Sequence, residues 1–206
     1  MTNNFYQQKE NLFNLWAPYY DCLLTTVFYQ AIHQRLFEYV ELEEDALVLD
    51  IGCGTGRLLD RLAAKFPTVK GIGLDLSPLM LRRARAENRF HKRLIFVSGN
   101  TESLSFAEEQ FDAVFCTMSF LHYPHPEKVL KQVSRVLAQR GRFYLVDGDR
   151  GGKNHLVSVP GIGEIRLYNR QQREQLGRKA GLSCLAHHHL LPEILLTIFA
   201  PRKEHS

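Results

Sequence analysis

The sequence of 206 residues lacks several features that would place it in other protein classes. No uninterrupted apolar run approaches the roughly 18 residues that a membrane-spanning helix needs, so no span is expected. The N-terminal MTNNFYQQKE has no apolar core of the kind found in signal peptides. No run of about five basic residues occurs and the net charge is only +4, which argues against nucleic acid as a partner.

Cysteine is scarce and scattered along the chain. Cys22, Cys53, Cys116 and Cys184 include no Cys-x-x-Cys pair, so the sequence predicts buried thiols in a reducing compartment rather than a disulfide framework or a zinc site. With 45% hydrophobic and 23% charged residues, the composition predicts a cytoplasmic protein with a single globular domain over residues 1–206.

Short apolar runs alternate with amphipathic stretches through the middle of the chain. ALVLDI, VKGIGLDL, RLIFV, FDAVFC and GRFYLVD predict strands, and several stretches between them have the spacing of one-faced helices. Near the end, LSCLAHHHLL and ILLTIFAP are separated only by Pro192 and Glu193, which predicts an antiparallel hairpin. The sequence therefore predicts an α/β fold, with a doubly wound, mostly parallel seven-stranded sheet and a C-terminal antiparallel hairpin.

The stretch LVLDIGCGTGRLLDRLAAKF joins the first strand to a helix through three alternating glycines. Gly52 and Gly54 remove side chains where a ligand could contact the backbone, at the end of the sheet where ligands bind. Arg57 occupies the third glycine position of a dinucleotide fingerprint. Asp75 ends the second strand, where a carboxylate can accept both ribose hydroxyls. We expect a nucleoside ligand without a pyrophosphate; the alternative is that the glycines only form a tight turn.

Four motifs in register resemble those of class I S-adenosylmethionine-dependent methyltransferases, in particular the ubiquinone/menaquinone C-methylase-like (methyltransferase type 11) group. VLDIGCGTG is similar to the family signature, GIGLDLSPLML to its acidic second-strand motif, GNTESLSF to G-D-x-E-x-L-P-F, and FDAVFCTMSFLHYPHPEKVLKQVSRVLAQRGRFYLVD to the fourth through fifth strands. The resemblance implies a Rossmann-like methyltransferase fold, S-adenosylmethionine as cofactor and S-adenosylhomocysteine as product.

The resemblance also implies a cofactor site. Its matching positions are Tyr20, Asp50, Gly52, Cys53, Gly54, Gly56, Asp75, Leu76, Met80, Asn100, Thr101, Cys116, Thr117 and Leu121. The methionine part of the cofactor would lie against Asp50 and the glycines, and the ribose hydroxyls would bind Asp75. Asn100 and Thr101 would bind the adenine edge, and the end of the fourth strand would lie beside the sulfonium. Asn100 replaces the aspartate usual in the family, which predicts a somewhat lower cofactor affinity.

The predicted reaction is an in-line transfer of the methyl group to a small-molecule acceptor, such as a quinone-like or other metabolite ring. His122 is the candidate general base if the acceptor must lose a proton; a structural role is its alternative. Cys53 and Cys116 are interpreted as packing residues rather than nucleophiles. The alternative functions are cofactor binding without catalysis and, less favoured, a nicotinamide-dependent oxidoreductase.

Two segments lie outside the strand-and-helix pattern. Residues 1–40 carry apolar positions at helical spacing interrupted at Pro18, and residues 148–168 are glycine-rich and predict a mobile loop. We expect residues 1–40 to form an N-terminal helical lid over a cofactor-binding core of residues 41–206, and the loop to complete the lid that selects the acceptor. The alternative is that the N-terminal helices only pack on the sheet.

The His-His-His tract falls within a predicted strand. Alternation places His187 and His189 on one face, where a solvated edge is favoured over a metal site because the sequence shows no matching carboxylate or cysteine cluster. No metal is expected.

Overall fold

The computed structural model describes residues 23–149, 156–159 and 163–202. The helices of this part are α1 (Leu23–Leu36), α2 (Arg57–Lys65), α3 (Pro78–Glu87), α4 (Pro126–Val136) and α5 (Arg170–Lys179), with a 3-10 turn at Phe120–His122. The strands are β1 (Leu47–Ile51), β2 (Lys70–Asp75), β3 (Leu94–Ser98), β4 (Phe111–Thr117), β5 (Leu137–Gly148), β6 (Leu156–Val159), β7 (Gly163–Arg166), β8 (Leu182–Leu191) and β9 (Ile194–Pro201).

Seven strands form one sheet in the order β3-β2-β1-β4-β5-β9-β8. The first five strands in the chain run parallel, and β9 runs antiparallel to both β5 and β8. The predicted doubly wound sheet and its C-terminal hairpin are confirmed. The winding reverses between β1 and β4, so a crevice opens beyond the carboxyl ends of these two strands.

Helices cover both faces of the sheet because its central strands are apolar on both sides. Helices α1, α2 and α3 pack on one face, and α4, α5 and the 3-10 turn pack on the other. Local signals fix where two of these helices begin. Ser77 accepts a hydrogen bond from the Met80 N–H at 3.2 Å to begin α3, and Asn169 with Gln172 forms a capping box at α5. Among the described residues, no helix combines the length and apolar character that crossing a bilayer requires.

The prediction of a loop over residues 148–168 is wrong in part. Leu156–Val159 and Gly163–Arg166 pair as the antiparallel strands β6 and β7, in a small sheet of their own. Alternating residues such as Val157 and Ile165 favour strands, and this preference outweighs the flanking glycines. The predicted helix break at Pro18 and the predicted contact of Tyr20 lie outside the described residues.

Candidate functional site

The three glycines after β1 all require a left-handed backbone. Their φ angles are +71° at Gly52, +53° at Gly54 and +77° at Gly56, a region that other residues rarely adopt. A Cβ at Gly52 would lie 2.6 Å from the Ser119 hydroxyl and 2.9 Å from that of Tyr123, and one at Gly56 would lie 2.7 Å from the Phe96 ring. The missing side chain at Gly52 therefore leaves room for the segment after β4, and the missing side chain at Gly56 allows the loop to pack against Phe96 of β3.

Asp75 ties the glycine loop to the carboxyl end of β2. One carboxylate oxygen accepts from the Gly54 N–H at 2.8 Å, and the other accepts from the Ser77 N–H at 2.8 Å. Burial raises the pKa of Asp75, while these backbone donors act in the opposite direction. A carboxylate has about four acceptor sites, so with the Gly54, Ser77 and Leu76 N–H groups as donors it can still accept from a ligand hydroxyl.

Asp50 is the most unusual carboxyl group of the site. It is 1% exposed, and its Oδ1 has no hydrogen-bond partner among the described residues. Burial, followed by the nearby charge of Asp75, raises its pKa to about 8. A buried carboxyl group with an unsatisfied oxygen is a place for a ligand that brings a donor or a positive charge.

A small cavity of about 40 Å³ lies over Asp50 and the glycine loop. Its walls are formed by residues from β1, the loop, α1, α2 and β4, which are Thr26, Tyr29, His33, Asp50, Gly52, Cys53, Gly54, Thr55, Arg57, Leu58, Arg61 and Thr117. This space holds a few water molecules, and helix α1 contributes part of its wall.

His33 and Arg61 lie side by side in the wall of the cavity. His33 Nδ1 lies 2.7 Å from Arg61 Nη1, and burial together with the Arg61 charge lowers the pKa of His33 to about 3. The ring is therefore neutral and Nδ1 accepts from the guanidinium, which leaves the proton on Nε2. That nitrogen is buried without a hydrogen-bond partner among the described residues. The cavity thus presents an unsatisfied carboxyl oxygen, an unsatisfied N–H and a guanidinium.

The chain turns sharply where β4 ends beside the glycine loop. Met118 has a φ of +53°, a conformation that costs a non-glycine residue about 1–2 kcal/mol. The turn brings the Ser119 hydroxyl to 3.1 Å from the Ile51 carbonyl, the Cys116 thiol and the Tyr123 hydroxyl. Burial raises the pKa of the Cys116 thiol, which stays protonated and packs within the sheet.

His122 lies in the 3-10 turn that follows. Its N–H donates to the Ser119 carbonyl at 3.0 Å, and the preceding Leu121 N–H donates to the buried carboxylate of Asp147 at 2.8 Å. Burial raises the pKa of Asp147 to about 6. From β7, Arg166 donates to the Pro124 carbonyl at 2.5 Å. The small sheet therefore braces the segment that carries His122, whose catalytic role stays a prediction.

The remaining predicted residues occupy different environments at the same edge of the sheet. Asn100 accepts a hydrogen bond from the Glu102 N–H at 2.9 Å through its side-chain oxygen. Met80 and Leu121 are only 2% and 7% exposed, so they pack in the interior before any ligand enters. Cys53 and Thr101 are also buried, whereas Leu76 and Thr117 are partly accessible.

Sequence reasoning missed part of the site. Thr26, Tyr29 and His33 recur at helical spacing along α1, and they were hidden among apolar positions of the same segment. Arg61 follows Arg57 by one turn of α2, which was a usable signal for a cation beside the loop. Nothing in the sequence marked Ser119, because its position depends on the left-handed turn before it.

Comparisons with known proteins bear on this geometry. A family model described as a methyltransferase domain matches residues 48–141. The chain is 33% identical over 185 residues to a malonyl-[acyl-carrier protein] O-methyltransferase of Geobacter sulfurreducens, covering 82% of this chain and 67% of that protein. It is 35% identical over 121 residues to the ubiquinone/menaquinone biosynthesis C-methyltransferase UbiE of Methylobacterium nodulans, covering 57% of this chain and 46% of that protein.

The fold is also shared with solved structures. A chain of the complex between the Haloferax volcanii Trm112 methyltransferase activator and a candidate methyltransferase superposes with a TM-score of 0.83 at 20% identity, covering 96% of this chain and 99% of that one. The present chain spans only 32% to 57% of the length of four further curated relatives.

Proposed function

The chain belongs to the class I S-adenosylmethionine-dependent methyltransferases, and from this premise we propose that it transfers a methyl group from S-adenosylmethionine to a small-molecule acceptor. The proposal includes a cytoplasmic location and an acceptor that is not a nucleic acid. The scattered free thiols of Cys53, Cys116 and Cys184 fit a reducing compartment.

The observation that carries the proposal is the charge arrangement of the cavity beside the glycine loop. The methionine part of the cofactor has an ammonium and a carboxylate on one carbon. Asp50 offers an unsatisfied carboxyl oxygen to the ammonium, and Arg61 with the His33 Nε2–H offers donors to the carboxylate. The residues present therefore fit this cofactor.

The glycine loop disfavours a nicotinamide dinucleotide. The arginine at position 57 replaces the glycine needed for the closest approach of a pyrophosphate. We assign Asp75 to the ribose hydroxyls and Asn100, which follows β3, to the adenine edge.

S-adenosylmethionine, when bound, supplies a methyl group made electrophilic by its sulfonium. The protein's task is to align an acceptor with that methyl group and to exclude water, and positioning of this kind contributes about 7–11 kcal/mol. The glycine loop and Thr117, which line the cavity, would support this alignment; the Ser119 hydroxyl lies 3.1 Å from that of Tyr123, beside Gly52. His122 would accept a proton from an acceptor that must lose one.

The acceptor class rests on the relatives and on the sequence. One relative is named as a methyltransferase of malonyl-[acyl-carrier protein], and another as a C-methyltransferase of ubiquinone and menaquinone biosynthesis. We infer a small molecule for this chain, admitted between residues 1–40 and the segment around β6 and β7, which together act as a lid over the core.

Isothermal titration with S-adenosylmethionine, S-adenosylhomocysteine and NAD⁺ tests the cofactor. We expect binding of the first two at one per chain and none of the third. Arg61→Met should weaken binding by about 10- to 150-fold, because a hydrogen bond to a charged group contributes about 1.5–3 kcal/mol. Arg35→Met, at an exposed arginine of α1, is the matched control and should bind normally. Binding of NAD⁺ in place of S-adenosylmethionine would refute the assignment.

A screen of metabolite pools with S-adenosylmethionine labelled in its methyl group tests the activity. We expect label in a small molecule, together with S-adenosylhomocysteine. Cofactor binding without transfer to any pool would favour a protein that binds the cofactor and has no catalytic activity.

A further inference from the structure

A second cluster of reactive side chains lies at the far edge of the sheet, on β8 and α5. Cys184 of β8 pairs with Phe199 of β9, and Ala186 pairs with Ile198. Between these two pairs, β8 therefore contains one residue more than β9. Leu185 is the extra residue of this β-bulge. Bulges redirect side chains, and this one places Cys184 and His187 on the same face although three positions separate them.

That face points at α5, which supplies a carboxylate. His187 Nε2 lies 3.0 Å from Glu174 Oε1 and 3.4 Å from Cys184 Sγ. The thiol, imidazole and carboxylate ligand atoms all lie within 4.8 Å of one another. The His187 side chain is 12% exposed and that of Glu174 is 40% exposed, so the cluster is partly shielded and still open on one side.

We propose that Glu174, Cys184 and His187 bind a divalent metal ion of the zinc type, with water as the fourth ligand. Zinc prefers sulfur, imidazole nitrogen and carboxylate oxygen in a tetrahedral arrangement. Zinc–ligand distances of about 2.3 Å to sulfur and about 2.0–2.1 Å to nitrogen and oxygen give tetrahedral edges of about 3.5 Å for sulfur–nitrogen and about 3.3 Å for nitrogen–oxygen. The observed separations of 3.4 Å and 3.0 Å differ from these two edges by only a few tenths of an ångström. The sulfur and carboxylate oxygen lie within 4.8 Å of each other, and the partly exposed Glu174 side chain can move to close that edge.

The surroundings orient the imidazole for this role. His187 Nδ1 lies 3.0 Å from the hydroxyl of the fully buried Thr197. When Nδ1–H donates to that hydroxyl, the lone pair of Nε2 faces the thiol and the carboxylate. In metal-binding histidines, the second ring nitrogen commonly donates to a neighbouring acceptor in the same way. A thiolate and a carboxylate together neutralise a divalent cation, so the complex adds no net charge beside the neighbouring buried Arg173.

The site lies on the edge strand β8 and on α5, and none of its three residues lines the cavity of the proposed methyl transfer. It would join α5 to the edge strand β8, next to the arginine that holds α5 against the end of β5. The inference does not depend on the proposed methyltransferase activity.

Cobalt titration of the reduced, chelator-treated full chain tests the site. A thiolate-bound Co²⁺ gives a near-ultraviolet charge-transfer band, and four-coordinate geometry gives intense visible d–d bands. We expect both bands to saturate at one equivalent and to disappear when Zn²⁺ is added. Competition with a chromophoric chelator then gives the zinc affinity.

Cys184→Ser should abolish the charge-transfer band and weaken zinc binding by more than about 100-fold, beyond the 10- to 100-fold effect of losing an outer-shell partner. His189→Gln is the matched control, because His189 is an exposed histidine of the same strand. This variant should bind both metals as the unmodified protein does. Absence of the band in the unmodified protein, or its persistence in Cys184→Ser, would overturn the proposal in favour of a hydrogen-bonded His–Glu pair.

Thermal melting gives an independent readout. Zinc should raise the melting temperature of the unmodified chain and leave that of Cys184→Ser unchanged, while the two should melt together in excess chelator. If Cys184→Ser does not fold, Glu174→Gln at the more exposed ligand serves the same comparison. Equal zinc-induced shifts in the unmodified chain and in the variant would also exclude the site.

Discussion

Asp50 combines burial, a neighbouring carboxylate and an oxygen without a hydrogen-bond partner among the described residues. Its pKa of about 8 means that the carboxyl group is mostly protonated at neutral pH. A positively charged ligand group favours the ionised form, so ligand binding and proton release are coupled at this residue.

We predict that cofactor affinity rises with pH up to about 8 through the ionisation of Asp50 and then levels off. Affinity rises with pH because Asp50 is protonated in the free protein below pH 8 and must lose this proton when the ligand ammonium binds. Titration calorimetry at pH 7 in buffers of different ionisation enthalpy should show one more proton released by the unmodified chain than by Asp50→Asn. The ligand's own titration is common to both proteins.

Glu108→Gln is the control for that experiment, since Glu108 is exposed and should leave proton release unchanged. Equal proton release by the unmodified chain and Asp50→Asn would exclude Asp50 as the partner of the ammonium.

Asp75 is predicted to carry much of the nucleoside affinity. Asp75→Ala should weaken S-adenosylhomocysteine binding by about 5- to 150-fold, because unpaired ribose hydroxyls cost about 1–3 kcal/mol. Isothermal titration measures the loss. Because the carboxylate also accepts from the Gly54 and Ser77 N–H groups, Asp75→Asn is made in parallel; it keeps one oxygen acceptor. Unchanged affinity in the folded Ala variant would remove Asp75 from the site.

At the scale of elements, α5 is held to the sheet by one buried guanidinium. Arg173 is 1% exposed and donates to the carbonyls of Tyr168, Leu195, Asp147 and Gly148 at 2.8–3.0 Å. Its charge also opposes the burial that raises the pKa of Asp147. This arginine therefore connects α5 to the end of β5 and, through Asp147, to the turn that carries His122.

Arg173→Met should lower the free energy of unfolding by about 3–5 kcal/mol, because each of several buried carbonyls left without its donor costs about 1–3 kcal/mol, and the cation that favours ionised Asp147 is lost. Urea unfolding followed by circular dichroism measures the change. Arg178→Met, at an exposed arginine of the same helix, should stay within about 0.5 kcal/mol of the unmodified chain. Similar midpoints for both variants would contradict the bracing role.

At the scale of the whole molecule, the wall of the cavity combines the glycine loop at the edge of the sheet with helix α1. Helix α1 contributes Thr26, Tyr29 and His33 to its wall, and β7 contacts the turn after β4. Both elements lie outside the sheet that positions the glycine loop. This arrangement favours a division between a cofactor-binding core and a cover that selects the acceptor.

We predict that deletion of residues 1–20 abolishes methyl transfer to the acceptor found by the screen, while the truncated protein still binds S-adenosylhomocysteine measurably. The physical reason is that, of the proposed cofactor contacts, only Tyr20 lies in the deleted segment, whereas that segment belongs to the proposed lid over the acceptor. Circular dichroism verifies the fold, and deletion of residues 203–206 serves as the control truncation. Full activity after the N-terminal deletion would show that the segment only packs on the sheet.

The sequence by itself determined the order of the strands and helices of the seven-stranded sheet and the place of the ligand crevice, but it did not indicate β6 and β7. Apolar runs of strand length, helical periodicity and turn residues are local signals, and the crevice follows from the winding of the predicted sheet. The glycine loop and Asp75 were predictable for the same reason, because each adjoins the end of a recognisable strand.

The tertiary structure decided which distant side chains meet. Arg61 and His33 face Asp50 only because α1 and α2 pack side by side over the loop. Cys184 and His187 share a face only because β8 gains one residue against β9, a shift that alternation in a single strand does not reveal. Local sequence determines whether a segment forms a helix or a strand and which of its residues share a face. Strand register and helix packing determine which residues of other elements lie next to that face. Both the Arg61–His33 pair and the Cys184–His187 pair depend on this second step.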